Sequence, residues 1–404
     1  MKYITQRMRR FCAFSTGFVF LASGILKLAD PVGAGLVMSE YFKFLHIGFM
    51  DFMARPAGIA LAFAESIIGT ALITGVWRKL TAAAAAAFMG FFTLLTLVLV
   101  IFNPEMDCGC FGEAIHLTHI QTFLKNIVLC LLLAGAFLPF RELGKPTKGK
   151  YVSFGIAAAS ISAFALWNML YIPVTDFTDY RCGAILQGAE MNDAESQSGE
   201  QAVFIYEKDG RREAFGLESL PGSTWTFISM EQKGSSNYAS AAPVLSFYDE
   251  EGNYLDHEAL DGKVMAVTVY NTHITEKKWQ AILSFLESAG EHGFKPLLLA
   301  ASGPQMIEED LENLSTGTRQ AIMERILYCS YKTLITVNRS NGGATCISNG
   351  MIVEKWALRN LPDAARLEEL SNTEATERMA DISSKNSMAF QGFLLYICAV
   401  LLLV

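Results

Sequence analysis

Long apolar segments constrain the fold of this 404-residue chain more than any other feature. Most of them reach the length of about 20 residues that a helix needs to cross a bilayer. They lie at 11–29, 56–75, 80–102, 120–140, 152–172 and 390–404. With 51% hydrophobic and only 18% charged residues, the chain is also too apolar for a soluble protein of this length. We therefore predict a polytopic membrane protein embedded in the lipid bilayer, with the first segment retained as a helix rather than cleaved as a signal peptide.

The distribution of Lys and Arg predicts how these helices are oriented. Basic residues occur before the first segment, at Arg78 and Lys79, and throughout 141–150. These regions should lie in the cytoplasm, because cytoplasmic loops are enriched in Lys and Arg. The loop at 103–119 contains neither residue, so we expect it, and the acidic region at 172–387, on the opposite face. Across the inner membrane of a bacterium that face is the periplasm, where disulfides form.

Two thiols one residue apart lie in the 103–119 loop. Cys108 and Cys110 are separated only by Gly109. A disulfide between them closes a very small ring, which departs from relaxed geometry and makes the bond easily reduced and oxidising toward other thiols. Glycine permits the unusual backbone angles that such a ring requires. The motif predicts a catalytic pair that cycles between thiol and disulfide; an idle thiol pair and half of a metal site are the alternatives.

Three ionisable side chains, Lys27, Glu65 and Lys125, lie inside the predicted helices near this loop. Charged groups are costly in a bilayer, so they pair with one another or line a cavity. One interpretation is a structural ion pair, with Lys27 reaching the interface by snorkelling. The other is a polar pocket that conducts protons or binds a cofactor, for which a membrane quinone is a candidate. The sequence leaves both open.

The remaining histidines and cysteines of the membrane half have simpler interpretations. His116 and His119 flank the loop, where they either tune the thiols, ligate a metal with them, or lie at the interface without a role. The last of these is the favoured interpretation, and no metal site is predicted. Cys12, Cys130 and Cys398 lie within apolar segments and are interpreted as small buried hydrophobic residues.

Two stretches resemble bacterial DoxX and MauE membrane proteins. Residues 20–31 are similar to the first-helix signature of the DoxX family, and residues 107–126 to the third-loop signature of the MauE group. The resemblance covers 11–140 and implies an all-α four-helix bundle, with a fifth helix leading to an appended domain. It also implies redox-linked maturation of exported proteins, because MauE-type proteins are associated with maturation of methylamine dehydrogenase, a periplasmic enzyme with many disulfides.

The region after the fifth segment alternates between strand and helix patterns. Strands are predicted at 202–210, 223–228, 244–248, 264–270, 296–301, 333–337 and 345–355, and helices at 276–291, in a long segment ending at 325, and at 363–370. From residue 243 onward, this order and the Gly262-Lys263 start of a central strand resemble periplasmic thioredoxin-like domains of the thiol-disulfide exchange type. The resemblance implies an α/β thioredoxin-like fold.

This domain departs from the resemblance where the chemistry should be. The central strand is followed by Asn-Thr-His-Ile-Thr at 271–275 instead of Cys-x-x-Cys. The domain is therefore interpreted as a binding or docking module rather than a catalyst. Cys329 and Cys346 flank one predicted strand and are a candidate structural disulfide. Cys182, just after the fifth helix, is either idle or an exchange partner for the thiol pair.

These patterns divide the chain into five parts. They are a four-helix membrane domain at 1–140, a cytoplasmic loop and fifth helix at 141–172, a β-rich periplasmic segment at 173–242, a thioredoxin-like domain at 243–372, and a linker with the C-terminal helix at 373–404.

Two hypotheses about function follow from different features. The thiol pair predicts a thiol-disulfide oxidoreductase that exchanges with a periplasmic or exported client protein. The missing Cys-x-x-Cys predicts a non-catalytic scaffold that presents a thioredoxin-like binding module. The acidic outer region argues against nucleic acid as a partner, and the sequence does not decide whether the protein is an enzyme.

Overall fold

The computed structural model describes residues 2–104, 106–138, 146–188, 201–208, 211–216, 226–233, 243–301 and 303–402. The chain forms two compact units, one of Met1–Thr178 with Ala380–Val404 and the other of Asp179–Met379. Within the described residues, six helices are long and apolar enough to cross a membrane. This finding confirms the predicted polytopic membrane protein.

The first unit, the membrane unit, is almost entirely helical. It contains α1 (Lys2–Ala29), α2 (Pro31–Phe44), a 3-10 turn (Gly48–Met53), α3 (Ala54–Thr74), α4 (Arg78–Phe102), the short strand β1 (Cys110–Glu113), α5 (His119–Phe137), α6 (Lys148–Leu170) and most of the C-terminal helix α12 (Ala375–Leu402). The candidate membrane spans lie in α1, in α3 together with the 3-10 turn before it, and in α4, α5, α6 and α12.

Helix α2 was not predicted, although its start carries a recognisable signal. The Asp30 side chain accepts a hydrogen bond from the backbone N–H of Gly33 at 2.9 Å, which is a helix N-cap. Pro31 occupies the first turn, where its missing N–H is not needed. At 14 residues the helix is shorter than a membrane span, so a criterion based on long apolar segments does not detect it.

Helices α1 and α3 approach each other closely through small residues. A side chain at Gly24 would collide with the backbone of Ala62, and one at Gly69 would collide with the backbone of Leu21. Small residues allow such contacts between helices in a bilayer, where packing rather than hydrophobic burial drives association. This approach sets the distance between the polar side chains that the two helices carry.

Two apolar clusters hold the membrane unit together. One joins α1, α3, α4 and α5 through residues such as Phe20, Met89 and Leu129. The other attaches α6 and α12 to α1 and α3 through residues such as Ile161 and Ile397. The arrangement confirms a four-helix bundle with two additional helices.

The three cysteines of the apolar segments are less buried than predicted. Cys398 is exposed, and Cys12 and Cys130 are only half-buried. Many large apolar side chains on the spanning helices, such as Leu94 and Leu131, are similarly exposed. In a membrane protein such surfaces face lipid, so an apolar segment does not by itself indicate burial in protein.

The second unit contains two sheets. Strands β2 (Gln201–Lys208), β3 (Arg211–Gly216) and β4 (Thr226–Lys233) form an antiparallel sheet in the order β3-β2-β4. The larger sheet contains β5 (Phe247–Tyr248), β6 (Lys263–Val269), β7 (Lys295–Ala300), β8 (Ile326–Cys329), β9 (Gly343–Ser348) and β10 (Met351–Trp356). Its helices are α7 (Glu276–Glu291), α8 (Pro304–Asp310), α9 (Thr316–Met323), α10 (Tyr331–Val337) and α11 (Ala364–Asn372).

The larger sheet is thioredoxin-like. Its strand order is β10-β9-β6-β7-β8-β5, with β6 parallel to β7 and antiparallel to β9. A parallel strand-helix-strand unit, β6-α7-β7, is thus joined to the antiparallel hairpin β9-β10 and then to α11. This topology confirms the predicted fold, and apolar side chains cover both faces of the sheet.

Three predicted elements of this unit are wrong. The strand predicted at 333–337 lies in α10, because Ser330 caps a helix by accepting a hydrogen bond from the Thr333 backbone N–H. The strand predicted at 345–355 is the hairpin β9-β10, which turns at Asn349-Gly350 with positive φ at both residues. The long helix ending at 325 is two short helices, α8 and α9.

The predicted disulfide between Cys329 and Cys346 is also wrong. Both are free thiols. Cys329 lies in β8 and Cys346 in β9, and two other strands separate them in the sheet. Three strand spacings amount to about 14 Å, whereas a disulfide requires Cα atoms within about 7 Å. The two side chains also pack in clusters on opposite faces of the sheet.

We expect Cys329 and Cys346 to be unreactive until this unit unfolds. Burial raises the pKa of each thiol to about 12, so at pH 8 only about one molecule in ten thousand carries the reactive thiolate. Iodoacetamide labelling of the full chain, read by mass spectrometry, should modify both cysteines only in denaturant or as the pH rises toward 12. Half-buried Cys182 is the internal control. A peptide linking Cys329 to Cys346 would contradict the structure.

Candidate functional site

A buried ion pair joins α1 to α3 beneath the cysteine loop. The Lys27 ammonium lies 2.7 Å from a carboxylate oxygen of Glu65, and their side chains are 7% and 8% exposed. Lys27 also donates to the hydroxyl oxygen of Ser23, one turn earlier in α1, at 3.0 Å. Removing ions from water costs several kcal/mol each, so such a pair persists only where further hydrogen bonds satisfy it. Both ionised groups therefore have defined partners and fixed positions.

Hydroxyl groups from two helices anchor the backbone of the cysteine loop. The Tyr41 hydroxyl on α2 donates to the Cys108 carbonyl at 2.8 Å. The Ser23 hydroxyl lies 2.5 Å from the Cys110 carbonyl and 2.8 Å from Glu65, so its single proton serves either acceptor. The loop is therefore connected to α2 directly and to the buried ion pair through Ser23.

Gly109 is required between the two cysteines. Its φ is +56°, in the left-handed region that favours glycine. A side chain at this position would also collide with Val37 of α2. Glycine is therefore required at this position both by the backbone conformation and by the close packing. Only the first of these reasons could be inferred from the sequence.

Cys108 has a base beside it. Its Sγ lies 2.9 Å from Nδ1 of His119, at the start of α5. The other ring nitrogen, Nε2, lies 2.9 Å from the carbonyl oxygen of Pro104, which can only accept a hydrogen bond. Nε2 therefore carries the proton, and in the neutral ring Nδ1 is left as an acceptor for the Cys108 S–H. This arrangement fixes the tautomer of His119 and prepares it to take a proton from the thiol.

The two thiols differ in exposure. Cys108 is only 3% exposed, and Cys110 is half-buried. Burial raises the pKa of the Cys108 thiol, and the positive charge of Lys125 opposes this effect. Without a proton acceptor Cys108 would therefore remain a thiol near neutral pH, so the contact with His119 matters for its reactivity.

Lys125 does not join the Lys27–Glu65 pair. Its ammonium lies over the ring of Phe111, 4.9 Å from the centroid, which is a cation–π contact. The structure therefore separates the three predicted pocket residues into a mutually neutralising pair and a third cation beside the loop.

A cavity of about 330 Å³ lies next to the cysteine loop, inside the membrane unit. Its walls are mostly apolar and aromatic. The polar or thiol-bearing residues among its lining are Ser23, Lys27, Tyr41, Glu65, Thr96, Cys108, Cys110, Lys125 and Asn126. All five residues predicted from the sequence, both cysteines and all three ionisable side chains, thus border one space. An apolar cavity with a few convergent polar groups is the usual form of a small-molecule site.

The sequence reasoning missed two contributors to this site, Ser23 and Tyr41, and gave too little weight to a third, His119. Ser23 is four residues before Lys27 on α1 and so lies on the same helix face, a spacing that could have identified it. Tyr41 carried no signal, because α2 itself was not predicted. His119 was named, but its interfacial interpretation is incomplete, since the ring contacts Cys108.

His116 lies apart from the thiols. It is exposed and pairs with Asp107 at 2.9 Å. Across the described residues, no three His, Cys, Asp or Glu side chains are grouped as a metal site.

In the second unit, the loop that follows the central strand β6 is bound by a side-chain amide. Asn341 accepts a hydrogen bond from the Asn271 backbone N–H at 2.9 Å, and its amide donates to the Asn271 carbonyl at 2.8 Å. Thr272, next in the loop, donates to Asp310 at 2.5 Å. A thioredoxin-like oxidoreductase would present its thiols in this loop, whereas here hydrogen bonds tie the loop to its neighbours.

These features define a multi-pass membrane protein in which a chain segment that forms a helical bundle with a thiol pair is followed by a thioredoxin-like domain. Residues 5–139 match the family described as Methylamine utilisation protein MauE. That part of the chain is therefore MauE-like, as the sequence resemblance implied. Residues 201–234 match a domain of unknown function, DUF8463.

Similar individual proteins cover only parts of the chain. Protein TlpB of Flavobacterium psychrophilum is 27% identical over 166 residues, which are 40% of this chain and 44% of that protein. The chain therefore spans less than half the length of this curated relative. Among solved structures, the crystal structure of yeast Sco1 matches 34% of this chain and 96% of its own, with 11% identity and a TM-score of 0.25.

Removing one charge of the Lys27–Glu65 ion pair should destabilise the bundle more than removing both charges. We expect Lys27→Met or Glu65→Leu alone to cost about 3–5 kcal/mol, because each leaves a buried charge without its partner. The double variant should be close to the wild type. Unfolding in detergent, with exposed Lys43→Met as the control, measures this. Additive losses in the double variant would show that the charges are not coupled.

Proposed function

We propose that this protein exchanges disulfides with an exported client through Cys108 and Cys110. In this proposal it resides in the inner membrane of a bacterium, with the cysteine loop and the second unit in the periplasm. The contact between Cys108 Sγ and a tautomer-fixed His119 is the observation that supports it most. An idle thiol would not need a positioned base, and a structural cysteine is normally inert.

The difference in exposure assigns separate roles to the two cysteines. In the oxidised protein, a client thiolate attacks Sγ of Cys110, the more accessible sulfur, and the Cys108–Cys110 bond breaks. Cys108 leaves as a thiolate and is protonated by His119, which in turn receives the proton that the client thiol released. A second client thiol then attacks the mixed disulfide and releases Cys110. A client dithiol becomes a disulfide, and the protein gains two thiols.

The second unit acts as a docking module in this proposal. Its 271–275 loop has no thiol, and the loop is held by hydrogen bonds that it donates to Asn341 and Asp310. This observation also supports a second candidate function, in which the whole protein is a non-catalytic scaffold. The two functions differ in whether the cysteine loop ever becomes bonded to a client.

Trapping of mixed disulfides tests the exchange. In cells, Cys108→Ser should accumulate a client attached to Cys110, because the Cys110 thiol can attack a client disulfide and the variant lacks Cys108, which would release the client by the reverse of the first step. Cys110→Ser should trap several-fold less, since the remaining thiol is buried. The double variant is the background control, and mass spectrometry identifies the adducts. If neither single variant traps more than the double variant, the scaffold function is favoured.

His119 should control the rate of exchange. We expect His119→Gln to slow the reaction of Cys108 by about 100-fold, a typical loss for a general base. His116→Gln is the matched control, since His116 contacts Asp107 and not a thiol. Equal rates in the two variants would remove His119 from the mechanism.

A further inference from the structure

The cavity beside the cysteine loop extends to the surface of the membrane unit. Two of its lining residues, Phe91 and Leu45, are 60% and 45% exposed. Phe91 lies near the middle of α4, a candidate membrane span, so the exposed side of that residue faces the lipid hydrocarbon. A ligand that enters past Phe91 would come from the bilayer and must itself be largely apolar.

The walls of the cavity fit a flat apolar molecule with polar oxygens. Aromatic rings of Phe20, Phe88 and Phe92 line it. The volume of about 330 Å³ lies at the lower end of the range for small-molecule sites. Lys125 contributes an ammonium group with three N–H donors to the same space. Because the cavity wall is mostly apolar, its few polar groups would orient such a ligand, and apolar contacts would supply most of the binding energy.

Cys108 and Cys110 both border the cavity, so a ligand bound there lies beside the thiol pair. After oxidising a client, Cys108 and Cys110 are thiols and must lose two electrons and two protons before the next cycle. The Lys27–Glu65 pair is internally neutral and cannot accept electrons. A lipid acyl chain would match the apolar walls equally well, but it has no redox chemistry.

We propose that this cavity binds a membrane quinone, which re-oxidises the Cys108–Cys110 pair; the inference rests on the proposed function. His119 takes the proton of Cys108 as its electrons leave and passes it on to the quinone, and Cys110 supplies the second proton. An S–S bond forms, and the quinone gains two electrons and two protons and leaves as the hydroquinone. Lys125 donates a hydrogen bond to a quinone oxygen and stabilises the negative charge that develops there.

Two neighbouring residues on α4 provide a matched test. Leu95 lines the cavity, whereas Leu94 is 63% exposed and does not. The full-length protein, reduced and desalted without oxygen, is mixed with decylubiquinone, and quinone reduction and thiol loss are followed together. The wild type should form one hydroquinone for each two thiols lost. We expect Leu95→Trp to slow this reaction by about 100-fold, because the indole displaces the ring from the thiols, and Leu94→Trp to react like the wild type.

A second variant keeps the test informative if Leu95→Trp folds poorly, which thermal unfolding would reveal. Lys125→Met preserves the cavity and should raise the quinone concentration needed for half-maximal rate by about tenfold, corresponding to loss of a hydrogen bond to a charged group. Cys110→Ser should still bind the quinone without reducing it, as judged by quenching of tryptophan fluorescence.

The outcomes separate this inference from the proposed function. Wild-type protein that exchanges with glutathione disulfide but does not reduce the quinone would overturn the inference alone. Equal rates in Leu95→Trp and Leu94→Trp would also overturn the inference. The same holds if a lipid with a brominated acyl chain binds in the cavity and the quinone cannot displace it. If the thiols react with neither compound, the proposed function fails, and this inference fails with it.

Discussion

The buried ion pair between Lys27 and Glu65 is the interaction on which the rest of the candidate site depends. Two full charges inside a membrane helix bundle are tolerated only because each neutralises the other and because Ser23 completes the hydrogen bonds. The pair requires α1 and α3 to lie close together, and the small residues between them permit that approach. Since Ser23 also reaches the Cys110 carbonyl, the position of the thiol loop is linked to this pair.

The loop is held at two separate points, and this has a chemical consequence. Tyr41 binds the carbonyl of Cys108, and Ser23 binds that of Cys110, so the backbone on both sides of Gly109 has a partner. Cys108 is thereby buried against His119, while Cys110 remains partly accessible. Two cysteines separated by a single residue thus occupy different environments. Such a difference is what a directional relay needs, with one thiol for the client and another for the interior.

The protein combines a thioredoxin-like fold that lacks thiols at the expected loop with a membrane bundle that has them. Asn271 and Asn341 form a reciprocal pair of hydrogen bonds where a redox motif would require free sulfur atoms. Fold and chemistry are therefore separable in this chain, as is generally true of widely used folds. The thioredoxin-like topology by itself does not assign redox chemistry to the second unit.

Part of the fold and of the site could be predicted from the sequence because the signals are local. Long apolar segments indicate spanning helices through their length alone, and the Cys108-Gly109-Cys110 motif places two thiols in one short loop. Local signals also misled. The β-branched residues of 333–337 favour a strand, but the Ser330 cap and the packing of Leu334 and Val337 make this segment helical.

The sequence by itself determined that this is a multi-pass membrane protein with a close thiol pair and charged residues within its helices. Only the tertiary structure decided which charges pair and which cysteine has a base. It also showed that Cys329 and Cys346 lie on opposite faces of a sheet. The physical reason is that ion pairing and proton transfer depend on distances of about 3 Å. Residues far apart in the chain, such as Lys27 and Glu65, reach such distances only through helix packing.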